Sequence, residues 1–303
     1  MPLVSYSPSP VTEVALQIVG ILAPSVLLAL IGLVWFYKGP EFPVPFVTTL
    51  VLNVSMPALL FNTLATSSIS MVALGTMAMA TLAVHIVFAG VAIALLKMAR
   101  KDWRLCITHV VGNTGNLGLP VCFLAFGNEG LAYAMMFFGV QCLLLFSVGE
   151  AVITGKLSFG RMARSPILHA VWLGILFRMV NAELPAIAGQ TFELLSQIAI
   201  PLMLITLGVS LAGMRASQLP ATVFWAGIRT LVALAIGVSI AWLFNLTGVA
   251  RGVLIIETVV PVAVFNYLLA VKHGRDSSEV SGMILVTHLA AVIYLPLVLA
   301  YVL

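Results

Sequence analysis

The chain has 303 residues, of which 62% are hydrophobic and only 8% charged, and its mean hydropathy is +1.17. A soluble domain carries about 25% charged residues, so composition excludes a soluble enzyme and defines an all-helical, polytopic membrane protein. The net charge of +4 is then loop asymmetry, which sets topology, and not a nucleic-acid footprint.

Ten apolar segments follow in order, each long enough to cross a hydrocarbon core of about 30 Å. They cover 13–36, 44–66, 71–97, 104–126, 129–154, 165–181, 187–212, 219–245, 249–272 and 279–302. The stretch before them is polar, proline-rich and without a basic n-region, so no cleavable signal peptide is expected. The second segment holds Asn53 four residues before Pro57, and the third holds His85. The fourth carries the densest set of helix breakers, with Gly112, Asn113, Thr114, Gly115, Asn116, Gly118 and Pro120 inside nine residues. Glycine and proline weaken a helix, and asparagine competes for its backbone bonds. In hydrocarbon such a break survives only where protein or water lines it, so it predicts an interrupted helix forming a polar site.

The seventh segment repeats the pattern of the second, with Gln197 four residues before Pro201. The eighth buries a charge, Arg229, about ten residues into the span, roughly 15 Å deep at 1.5 Å per residue. The ninth holds Glu257, Pro261 and Asn266, and the tenth His288. Cys106, Cys122 and Cys142 have no metal spacing and read as small core residues.

Charge orders these segments. The loops between segments 1–2, 3–4, 5–6, 7–8 and 9–10 hold Lys38, Lys97, Arg100, Lys101, Arg104, Lys156, Arg161, Arg164, Arg215, Lys272 and Arg275, eleven of the 14 Lys and Arg residues. The opposite side has only Arg178 and Arg251. This bias predicts ten spans with both termini outside and the basic loops in the cytoplasm.

The halves also repeat. Asn53–Pro57 matches Gln197–Pro201 at an offset of 144, and Gly127 matches Gly274 at 147. The same offsets set Thr114 opposite Pro261, Gln141 opposite His288, and His85 beside or on the counterpart of Arg229. Five spans per half, 1–154 and 155–303, means opposite insertion: two inverted repeats with interrupted helices 4 and 9 near the midplane, a recurring transporter design.

Residues Asn113 to Pro120 (NTGNLGLP) resemble the hallmark of bacterial members of the auxin efflux carrier family. Residues 53–61, 201–210 and 261–267 resemble that family's second, seventh and ninth spans, so the likeness covers essentially the whole chain. It implies the PIN-like fold of the bile acid/auxin transporter superfamily. Spans 1, 2, 6 and 7 would form a scaffold. Spans 3–5 and 8–10 would form a moving domain in which broken spans 4 and 9 cross. It implies small organic anions as substrates, dimers among the assemblies, and a compact prokaryotic member in the cytoplasmic (inner) membrane, since the loop after span 5 is short. One departure stands out: plant members carry a proline in the fourth-span break, whereas glycines occupy it here and only Pro261 stands at the expected crossing.

Helix N-termini at the breaks suit a carboxylate. Asn113, Thr114, Gly115, Asn116, Pro261, Asn266, Asn53, Gln197 and Arg229 are the candidate substrate-binding residues. Arg229 could instead pair with Glu257 or Glu150, or snorkel. Glu257, His109, His288 and His85 are candidates for proton or ion coupling; Glu193, His169 and His273 read as interfacial. No cofactor or metal is implied, a coupling proton or sodium ion apart, and the partners are the anion and the bilayer. No metalloprotease, P-loop or nucleophile-elbow motif is present, so the chain reads as no enzyme. The expected activity is secondary transport of a mono- or dicarboxylate by an elevator movement. The alternatives are a sodium-coupled symporter of bile-acid type and a non-transporting membrane sensor.

Overall fold

A computed structural model of the chain describes residues 10–155, 160, 163–216, 218–272 and 277–303. Lys156, Arg161, Gly274 and Arg275, which enter the charge and repeat arguments, and His273, read as interfacial, lie outside them. Among the described residues every regular element is helical, and extended backbone pairs only at an isolated bridge between Gly112 and Val262.

The helices are α1 Pro10–Lys38, α2 Val44–Thr66, α3 Met71–Met98, α4 Cys106–Val110, α5 Thr114–Val152, α6 Pro166–Met179, α7 Ala186–Ala212, α8 Leu219–Leu243, α9 Gly248–Val259, α10 Phe265–Lys272 and α11 Ser277–Val302. Seven of them, α1, α2, α3, α5, α7, α8 and α11, are long and apolar enough to cross a membrane. The other three expected segments differ for physical reasons. The fourth is split, its first part being the five-residue α4 and its second part running into α5. The ninth is split into α9 and α10. The sixth, α6, has 14 residues. Within α5 the chain turns at Gly127 (φ 63°, ψ −150°), a conformation open to a residue without Cβ, and this is where the fourth and fifth segments were expected to meet.

Local sequence explains the helix ends. Ser70 caps α3 by accepting from the Ala73 N–H (3.2 Å), and Ser165 caps α6 from the Leu168 N–H (3.4 Å) with Pro166 next in line; both are N-cap residues that satisfy an orphan amide. Pro57 and Pro201 sit just after local irregularities, a π-turn over Val51–Ser55 in α2 and an interruption at Ile198 in α7. A proline within a helix removes one bond and crowds the preceding turn.

Two sets of helices emerge from the packing. α1 lies along α7, and α2 lies against α6 and α7. At the α1–α7 crossing a Cβ on Gly32 would overlap the Ile205 carbonyl, and one on Gly208 the Ala29 carbonyl. Small residues there let the two backbones touch, as is common between membrane helices. The second set gathers α3, α5, α8, α9 and α11 around one another. Its centre is fully buried, with Val253, Leu254, Ile255, Ile256 and Val259 of α9 packed on every side.

Candidate functional site

The site grows from the two helix interruptions. α4 stops at Val110 and the chain becomes helical again at Thr114; α9 stops at Val259 and α10 begins at Phe265. The two irregular stretches run antiparallel. The Asn113 N–H donates to the Pro261 carbonyl (2.7 Å), and the Ala263 N–H donates to the Val111 carbonyl (3.1 Å). Pro261 has no N–H to offer and pushes the residue before it out of helical space; Val260 accordingly has φ −48° and ψ 149°. The glycines of the first break also permit close approach. None of Gly112, Gly115 and Gly118 has positive φ. What each provides is room. A Cβ on Gly112 would come within 2.9 Å of Val260, one on Gly115 within 3.1 Å of Phe138, and one on Gly118 would fall on the Glu257 carboxylate.

Interrupting a helix frees carbonyls on one side of the break and amides on the other. Here donors of the protein reach the carbonyls of His109, Val111, Gly112, Val259, Val260 and Pro261. Arg229 reaches from α8 and donates to the carbonyls of His109 (Nε, 3.2 Å), Val259 (Nη1, 3.1 Å) and Val260 (Nη1, 2.6 Å). One guanidinium thus caps the C-terminal ends of both α4 and α9, where the helix dipole places partial negative charge. Tyr294 donates to the Val259 carbonyl as well (2.9 Å). Asn266 donates to Val111 (3.1 Å), Gln141 donates to Gly112 (3.0 Å), and the Val262 N–H donates to Thr287 Oγ1 (3.1 Å).

The amide side faces space. A cavity of about 820 Å³ ends on Asn113, Thr114, Gly115 and Asn116 and on Ala263, Val264 and Phe265. The first-turn amides of α5 lie here, and a helix leaves such groups without an internal acceptor. The half-buried Asn116 side chain takes no protein partner among the described residues. Phe138, Met56, Met203 and Phe146 make the walls apolar, and the exposed Gly39, Glu41 and Arg215, with the half-buried Ser277, line its open end.

Of the candidates named from sequence, Asn113, Thr114, Gly115 and Asn116 line the cavity. Thr114 is fully buried and its Oγ1 accepts from Gln141 (2.7 Å). Pro261, Asn266 and Arg229 are joined to the breaks but stand behind the cavity wall. Arg229 is 1% exposed, and among the described residues no carboxylate pairs with it. Glu257, also 1% exposed, lies against Gly118 and accepts from the Cys122 thiol (3.7 Å). His109 stacks edge-on against Trp225 (5.7 Å). His288 meets the Asn113 amide (2.9 Å), and His85 meets Gln141 (3.4 Å). Asn53 and Gln197 are exposed and do not reach the cavity; the Asn53 amide donates to the Thr49 carbonyl one turn back (2.8 Å). Sequence reasoning passed over Gln141, although the repeat set it opposite His288 and a buried amide inside a membrane helix was itself a signal.

Helices of this length and apolarity around one polar-ended cavity define a multi-pass helical membrane protein with an internal site. Residues 43–158 and 153–299 match the family described as Membrane transport protein, and the chain belongs to that family, the auxin efflux carriers. It is 28% identical over 263 residues, 82% of this chain and 85% of the relative, to an uncharacterized transporter of Methanothermobacter thermautotrophicus. It is 30% identical over 199 residues to an uncharacterized transporter of Methanocaldococcus jannaschii, covering 60% of this chain and 63% of that protein.

Proposed function

We propose that the protein is a secondary transporter of a small organic anion, a mono- or dicarboxylate, and that it works by elevator-type alternating access. One observation carries this: at the breaks the protein's own donors take the carbonyls of His109, Val111, Gly112, Val259, Val260 and Pro261, while the first turn of α5 and the Asn116 amide face the cavity. Asn116 and the first-turn amides of α5 would meet the carboxylate, helped by the positive end of the helix dipole. The sodium-coupled alternative needs a cluster of open oxygens. The carbonyls of Val111, Gly112, Val259, Val260 and Pro261 each already accept a bond, which favours the anion.

In this reading the ten segments form two inverted repeats, 1–154 and 155–303. The close-packed set α1, α2, α6 and α7 is the scaffold, and α3–α5 with α8–α11 is the body that moves. The crossing of the broken helices travels with that body, held together by Arg229. With both termini outside, the basic loops lie in the cytoplasm. The cavity mouth, near Gly39, Arg215 and Ser277, is on that side, so this conformer would open inward.

Uptake of radiolabelled carboxylates by proteoliposomes tests the proposal. Saturable uptake is expected, with affinity weakened in Asn113→Ala and Asn116→Ala. Unchanged affinity in both variants would remove the site assignment, and no uptake across mono- and dicarboxylates would remove the substrate class.

A further inference from the structure

Two histidines reach towards the interrupted helices, and their hydrogen-bond balance differs. His85 on α3 directs Nδ1 at the Thr81 carbonyl (2.8 Å) and Nε2 at Oε1 of Gln141 (3.4 Å). His288 on α11 directs Nδ1 at the Ile284 carbonyl (2.8 Å) and Nε2 at the amide nitrogen of Asn113 (2.9 Å). A carbonyl only accepts, so Nδ1 carries a hydrogen in both rings. A neutral ring then has a bare acceptor at Nε2.

For His288 that is sufficient, because Asn113 offers it an N–H. For His85 it is not. The Gln141 amide is held in one orientation: its nitrogen donates to the Gly112 carbonyl (3.0 Å) and to Thr114 Oγ1 (2.7 Å). Turned over, it would set its oxygen against the Gly112 oxygen. Gln141 therefore shows His85 an oxygen. Two acceptors face each other unless Nε2 carries a proton too.

We infer that His85 is a proton-binding site coupled to the cavity through Gln141. With the second proton, His85 donates to both Thr81 and Gln141, and the chain of bonds from α3 to Gly112 and Thr114 is complete. Without it, the His85–Gln141 contact is repulsive. The Phe137 ring lies 5.4 Å from the His85 ring, centroid to centroid, tilted by 50°. The elements packed against α3 carry Arg104 just before α4, Cys106 and His109 on α4, Cys122, Glu129, Tyr133, Cys142 and Glu150 on α5, Arg229 on α8, and Arg251 and Glu257 on α9, and His85 hydrogen-bonds to none of them. Water supplies the proton and takes it back, and Gln141, which accepts from the protonated ring, lines the cavity. Its arrival strengthens the hold of Gln141 on Thr114, at the end of the cavity. The proton's part in a transport cycle rests on the transporter reading, whereas its binding to His85 does not.

The test is NMR of the full chain in lipid bilayers, labelled with ¹³C,¹⁵N-histidine and titrated over about pH 5 to 8, the range in which histidine charge changes. The His85 resonance is assigned by its loss in His85→Gln. Should that variant not fold, subtraction with single Gln variants of the other four histidines assigns it. His85 is expected to show the imidazolium form at the acid end while His288 stays neutral with hydrogen on Nδ1 throughout. Gln141→Leu is expected to abolish the His85 imidazolium. A neutral His85 across the whole range, or an imidazolium unchanged in Gln141→Leu, would overturn the proposal. Failure of carboxylate uptake in proteoliposomes would sink the transport reading and leave this titration standing.

Discussion

The two helix interruptions do the same geometrical job with different chemistry. The first, between α4 and α5, is made of small residues and amides: Gly112, Asn113, Thr114, Gly115 and Asn116, all of them on the cavity wall. The second, between α9 and α10, is built on Pro261 and flanked by valines, and it meets the cavity through Ala263, Val264 and Phe265. Proline needs no donor partner and fixes its own backbone, so the second break is rigid and apolar. The first break supplies the polar side chains. Arg229 joins the two, taking carbonyls from both. The lesson is a separation of acceptor and donor sides. Protein donors take carbonyls at the ends of both α4 and α9, whereas the first turn of α5 faces the cavity.

The severest way to break this comparison is Arg229→Ala. It frees carbonyls of both α4 and α9 in a buried place, and hydrogen bonds from a charged donor are worth about 1.5–3 kcal/mol each. A loss of about 3 kcal/mol or more is expected in thermal unfolding in detergent. Arg229→Lys should recover only part, because a single ammonium cannot fork across three carbonyls. A melting temperature within a degree of the parent in Arg229→Ala would mean that the shared cap is not what holds the crossing.

Next comes Gly118→Ala, which sets a methyl on the Glu257 carboxylate. Overpacking of this kind costs about 1–3 kcal/mol. Shortening the partner with Glu257→Ala should return part of that loss in the double variant, giving a coupling of about 0.5–3 kcal/mol in a double-mutant cycle. Additive losses would show that the two residues do not touch.

Asn116→Ala sharpens the donor side. Its side chain has no protein partner among the described residues, so stability should stay within about 0.5 kcal/mol, while carboxylate affinity drops roughly tenfold, about 1.4 kcal/mol. Scintillation-proximity binding measures it, and equal affinity would contradict a role for that amide. The smallest effects are expected at Asn53→Ala and Gln197→Ala. Both residues are exposed and off the cavity, so affinity should not move. A fall as large as that of Asn116→Ala at either position would extend the site to the scaffold helices.

Much of the site was legible because membrane helices tolerate few polar residues. In the first break, two asparagines and three glycines within seven residues stood out against Leu and Val. Pro261 marked the second break in the same way. Arg229 was visible as a charge too deep to be casual, yet its partners were not. Sequence offered a carboxylate or a substrate anion, and the structure shows carbonyls, groups that every residue carries and no sequence pattern displays. Asn53 and Gln197 are the converse. Each looked like a ligand beside a proline, and each turns away from the cavity.

What the sequence alone determined is the class: a membrane chain, all helical, with two interruptions and a polar stretch at the first. These follow from local composition, because hydrocarbon excludes unpaired polar groups and each break leaves its mark in Gly, Pro and Asn. Only the tertiary structure decided that the breaks pair antiparallel, that one arginine from a distant helix caps both, and that Gln141 turns its oxygen to His85. Those contacts join residues 30 to 152 positions apart, and they depend on how helices dock, which the spacing along a single helix does not encode.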